Sequence, residues 1–96
     1  MAHKPTVYAD FNTGDPQGRL RMSCLGTVQD LTRLGVMLRD GMALTVTDYE
    51  GLEADAVARY SAEESRWVAV IDWDLIRDVE PSAPPAEVAR AVRGSA

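Results

Sequence analysis

The chain has 96 residues, 46% of them hydrophobic and 26% charged, with a formal net charge of −5 and a single cysteine. A chain of this length supports one compact core, and a lone Cys24 gives neither an internal disulfide nor a zinc site. No run of about 18 apolar residues exists to cross a membrane, the start MAHKPTVYADF lacks the apolar stretch of a signal peptide, and the acidic balance argues against a nucleic-acid surface; the cytoplasm is the expected compartment.

Period-two alternation dominates the chain in order, the pattern of half-buried strands. In TVYADF, Val7, Ala9 and Phe11 share one face while Tyr8 and Asp10 take the other. NTGDPQG, residues 12–18, reads as an open turn. RLRMSCLGT alternates again, with Leu20, Met22 and Cys24 set against Arg19, Arg21 and Ser23. Thr27 and Asp30 then approximate a capping box, Val28 and Leu31 fall on one helical face, and Gly35 supplies a left-handed stop. A short helix over 28–34 follows from these signals.

Asp40-Gly41 is a turn, after which Met42, Leu44 and Val46 alternate with Thr45 and Thr47. Leu52, Ala54, Ala56, Ala58 and Tyr60 oppose Glu53, Asp55 and Arg59, and residues 61–65 form a polar hairpin loop. RWVAVIDW is apolar on both parities, so it is expected to be covered on both faces. Trp67 is expected to plug the core, and Trp73, where the strand gives way, to form one wall of a groove. Asp74 is expected to cap a helical turn near 74–77. Five short strands of this kind predict a mainly β fold, a small five-stranded barrel or curled antiparallel sheet spanning 5–80. From Pro81 the composition turns to proline and alanine, and 81–96 is expected to be a flexible tail.

The charge is distributed unevenly. Residues 48–80 carry three Arg against ten acids, whereas 1–47 carry five Lys or Arg against four acids. His3 is the one histidine, and neither a phosphate-binding loop nor a GxSxG run is present, so the chain is not expected to be an enzyme or to use a cofactor. The Asp72/Asp74 and Asp48/Glu50 pairs are too sparse, as D-x-D and D-x-E spacings, to specify acid–base chemistry or a metal. The sequence points instead to a partner-binding surface of Tyr8, Asp10, Tyr49, Asp72 and Trp73, with aromatic anchors and acids steering the approach. The expected occupant is a protein or peptide segment, basic or proline-rich. Pro81-Ser82-Ala83-Pro84 favours polyproline II and is a candidate to fill that surface in cis. Two alternatives are a homodimer covering Val68 and Val70, and an RNA or ribosome contact through Arg19, Arg21, Arg33 and Arg39.

The order VYADF, turn-rich loop, DGMALTV, YSAEESRWVAV, DWDLIRDVE resembles the layout of an SH3-type barrel. That family places a short strand before a long loop, an acidic hairpin before a Trp-bearing strand, and a helical turn before the last strand. The resemblance implies a five-stranded SH3-like barrel over 5–80, with the helix at 28–34 as an insertion. It does not carry the family's proline-rich-peptide site, because Val68 follows Trp67 where a second tryptophan is usual and Asp-Leu-Ile stands in place of Pro-Asn-Tyr. The run ending Trp-Val-Ala-x-Ile-Asp-Trp is also similar to short, acidic, uncharacterised bacterial proteins, a likeness that carries no activity with it.

Overall fold

Alternation closes into one curled, mainly β sheet compatible with a small SH3-like barrel. The computed structural model describes residues 4–86 and 88–90. Its elements are β1 (Thr6–Tyr8), β2 (Leu20–Arg21), α1 (Leu25–Leu34), β3 (Ala43–Thr47), β4 (Leu52–Ser61), β5 (Arg66–Ile71), a 3-10 turn (Trp73–Leu75) and β6 (Arg77–Asp78). The strand order is β1–β3–β4–β5–β2, and β6 pairs with β4. Ten-residue β4 is the spine: it pairs with β3 through 53–57, with β5 through 56–61, and with β6 at 52–53.

One ladder departs from the expected antiparallel sheet, since β1 and β3 run parallel, with Tyr8 opposite Thr47. Parallel neighbours need a long crossover, and the 35-odd residues holding β2 and α1 provide it. The register places Val7, Val46 and Ala54 in one inward row, and Leu20, Ala69 and Ala58 in another. All six are fully or almost fully buried. Alanines at 54, 56, 58 and 69 alternate with larger neighbours, which suits a tightly curled interior.

Trp67 is not the plug that the sequence suggests. It is partly buried at the margin of this cluster, edge-on to Tyr60 at 5.4 Å between centroids. The reason is positional: the Tyr60–Trp67 pair lies near the hairpin end of β4–β5, beyond the Ala43–Val57 pair where β3 stops. Val68 is nevertheless fully buried within the one chain, while Val70 stays 39% exposed.

The helix begins at Leu25, three residues earlier than the sequence suggests, and its N-cap Cys24 makes no side-chain cap bond. Thr27 and Asp30 are not a capping box; both side chains reach across to β1. In the parallel ladder Pro5 O and Ala9 N bond to β3, so the intervening Tyr8 turns its own N–H and C=O outward. A bare strand edge is unstable and sticky. Here Thr27 Oγ1 donates to Tyr8 O at 2.7 Å, and Tyr8 N donates to Asp30 Oδ2 at 2.8 Å. The helix thus seals the edge. Gly35, at φ 66°, ends it as expected.

One further difference concerns the C-terminal third. The helical turn spans 73–75 and is capped by Asp72, which accepts from Asp74 N at 3.0 Å, so Asp74 is not the cap. In the segment expected to be a flexible tail, over residues 81–86 and 88–90, Ser82 N donates to Tyr49 O at 3.0 Å and Val88 has no exposed surface. The remainder of that expectation, residues 87 and 91–96, lies outside the described residues.

Replacing Asp30 with Asn keeps the shape but leaves too few acceptors for its donors. Asp30→Asn is expected to lower the free energy of unfolding by about 2–4 kcal/mol, and Thr27→Val by about 1–2 kcal/mol, in urea titrations. A loss below about 0.5 kcal/mol for Asp30→Asn would show that the edge does not need this carboxylate.

Candidate functional site

Tyr8 and Tyr49 meet because the parallel register sets Tyr8 beside Thr47, and the chain then turns within two residues. Their rings stack nearly parallel, 6.4 Å apart with 6° between planes. The turn that presents Tyr49 is tightly built. Asp48 Oδ1 accepts from Glu50 N at 2.8 Å and Leu52 N at 3.0 Å, while Thr47 Oγ1 accepts from Tyr49 N at 3.1 Å and donates to Leu52 O.

Tyr49 itself adopts φ 61°, a left-handed backbone that costs an L residue roughly 1–2 kcal/mol. Such an outlier persists only where its surroundings over-determine it. Three contacts do so: the phenol donates to Asp30 Oδ2 at 2.8 Å, the carbonyl accepts from Ser82 N, and the amide is held by Thr47. The buried Asp30 therefore fixes both tyrosines, one by its amide and the other by its hydroxyl. Arg33 Nε and Nη2 complete its coordination at 3.1 and 2.8 Å.

On the other side, Asp10 Oδ1 accepts from Asn12 N at 2.9 Å, and the resulting turn brings Phe11 to the same place. Tyr8, Phe11, Tyr49, Asp10, Asp48 and Glu50 line a cavity of about 530 Å³, which Leu52, Ser82, Pro84 and Ala89 help to close. The size falls within the range of ordinary ligand sites.

Its electrostatics are one-sided. Among the described residues Asp10, Asp48 and Glu50 make no ion pair, and no Lys or Arg lines the cavity. The Tyr8 phenol is pushed up to about 12, first by burial and then by negative charge that includes Asp10, Glu50 and Asp48. Tyr49 is also pushed up to about 12, by burial and by its bond to the Asp30 carboxylate, against a smaller opposing pull from Arg33. A second carboxylate, Asp15, is buried outside this site. Burial pushes it up, but donation from the Arg19 amide and guanidinium and the Gln17 amide prevails and holds it below the usual range.

Of the five residues that the sequence singles out, the structure brings Tyr8, Asp10 and Tyr49 together. Asp72 and Trp73 lie elsewhere: Asp72 caps the 3-10 turn, and Trp73, 45% exposed, donates its Nε1 to Gly18 O at 2.7 Å over the 14–18 loop. By sequence Phe11 belongs to the Val7/Ala9 face, Asp48 and Glu50 to no more than a weak metal pair, and Asp30 to a helix cap. A usable signal did exist, since Thr27, Asp30 and Leu31 share the i, i+3, i+4 stripe that faces inward on a surface helix.

A scan against protein-family models and searches of curated proteins and of solved structures return no match to this chain. Among the described residues no three His, Cys, Asp or Glu side chains converge to hold a metal ion, and no helix is long and apolar enough to cross a membrane.

The two site tyrosines give the cavity a titration signature. Tyrosinate absorbance is expected to include a component near pH 12, reduced in Tyr49→Phe. Both phenols hold their protons more tightly in the folded chain than at a tyrosine's ordinary value of 10.0, so their contribution to stability is complete below that pH and falls away toward 12. An unchanged alkaline titration in Tyr49→Phe, with the fold intact, would contradict this environment.

Proposed function

We propose that the chain is a non-catalytic interaction module that receives a basic, extended segment of a protein or peptide partner at the Tyr8–Tyr49 cavity. One observation carries this reading: stacked aromatic rings and three carboxylates that make no ion pair face the same space, with no Lys or Arg among the described residues of its lining. Lysine and arginine fit both features. Their methylene stems lie on apolar and aromatic surface, their charged heads are attracted to ring faces by about 0.5–2 kcal/mol, and surrounding carboxylates speed the encounter and set its orientation.

The SH3-like plan supports the same role, since a small barrel with aromatic residues at its strand ends suits an extended ligand. The site, however, is displaced from Trp73 toward the β1 and β3–β4 ends. Preformed turns at 10–13 and 48–51 hold the lining in place before any partner arrives, which limits the entropy lost on binding.

Octa-arginine serves as a probe. Titration followed by amide shifts is expected to move Tyr8, Tyr49 and Glu50 first, with an affinity that falls as salt rises. The double variant Asp48→Asn, Glu50→Gln keeps the Oδ1 acceptor of the turn yet removes two charges, and is expected to weaken binding roughly fivefold. Failure of millimolar octa-arginine to move any of these three amides would sink the proposal, as would shifts confined to the surroundings of Trp73.

A further inference from the structure

The Tyr8–Tyr49 cavity is partly closed by the chain itself, and we infer that residues 81–86 and 88–90 form a hinged wall which a partner's segment must displace. This inference rests on the reading of the cavity just given, and it adds regulation of that site by the protein's own C-terminal segment.

The segment is anchored at two places with different chemistry. Near its start, Ser82 N donates to Tyr49 O at 3.0 Å, the same residue whose strained backbone presents the ring. Further on, Val88 is fully buried, and Ala89 N bonds back to Pro85 O at 2.9 Å in a short helical turn. Between these anchors Pro84 and Pro85 hold φ near that of polyproline II, the conformation that aromatic grooves accept. Ser82, Pro84 and Ala89 line the cavity together with the tyrosines.

What the segment lacks is as informative as what it supplies. Among the described residues, the three it contributes to the lining are uncharged, and its one cation, Arg90, is exposed and not part of that lining. It therefore occupies apolar space while leaving Asp10, Asp48 and Glu50 unmatched. An incoming basic segment makes the same apolar contacts and adds the ion pairs, so it competes from a position of advantage. Residues 79–80 are the natural pivot, because Val79 N is still bound to Gly51 O at 2.9 Å and the ladder ends there. A site shielded in this way binds with its intrinsic affinity reduced by the fraction of time it stands open.

The test uses the full chain and octa-arginine. Val88→Asp places a charge at a site with no exposed surface, so the segment lifts. The expected result is roughly tenfold tighter binding of octa-arginine to Val88→Asp than to the parent, together with loss of exchange protection at the Ser82 amide and unchanged protection at Val46 in the core. In the parent, saturating peptide is expected to expose the Ser82 amide in the same way. Equal affinity for parent and variant would overturn the hinged wall and leave the cavity reading standing, and so would a Ser82 amide that stays protected in the peptide-saturated parent. Absence of binding to both would overturn the cavity reading and this inference with it. If Val88→Asp does not fold, Val88→Ala removes most of the buried side chain, keeps the Ser82 amide as a readout and allows the same comparison.

Discussion

The carboxylate of Asp30 has no exposed surface and yet meets four donors, from the Tyr8 amide, the Tyr49 phenol and two nitrogens of Arg33. A charge buried without such partners is strongly unfavourable, so these groups must assemble together. Helix α1 cannot dock without a strand edge to receive it. The edge of β1 would be left with bare backbone groups were the helix absent. The Tyr49 hydroxyl donates to this same carboxylate, and Tyr49 is held in a left-handed backbone conformation. One side chain thus couples the crossover helix, the parallel edge strand and the aromatic wall of the cavity.

The rest of the architecture follows from where that coupling falls. Parallel pairing of β1 with β3 brings the end of one strand alongside the turn leaving the other, so two tyrosines distant in sequence become stacked neighbours. The acids come with the turns. Asp10 and Asp48 each spend one oxygen on backbone amides that shape their loops, and the same positions that make them turn formers place them at the rim of the cavity. Fold and negative potential therefore have a common origin in the turn chemistry.

The sheet was readable because it obeys local rules. Alternation in 42–47, 52–60 and 66–71 marks strands whatever their partners, and Gly35 and the 61–65 loop are punctuation with a backbone cause. Residues whose role is set by distant contacts were not readable in the same way. Thr27 and Asp30 have a spacing that serves a helix start or a neighbouring strand equally well, and only the outward groups of Tyr8 decide between them. Parallel or antiparallel pairing of β1 leaves the alternation unchanged. Trp67 and Trp73 were overvalued for size: a large ring near a hairpin end or over a glycine loop has little to bury against. Three of the five candidate site residues lay at the β1 and β3–β4 ends and so met there; the other two belong to a different turn.

Hydrogen exchange at the Tyr8 amide addresses the role of Asp30 most directly, because that N–H points away from the sheet and has the buried carboxylate as its acceptor. In the parent chain it should exchange as slowly as ladder amides such as Val46. In Asp30→Ala it should exchange rapidly while Val46 remains protected. A Tyr8 amide already open in the parent, or one still protected after Asp30 is removed, would contradict the sealing of the edge by the helix.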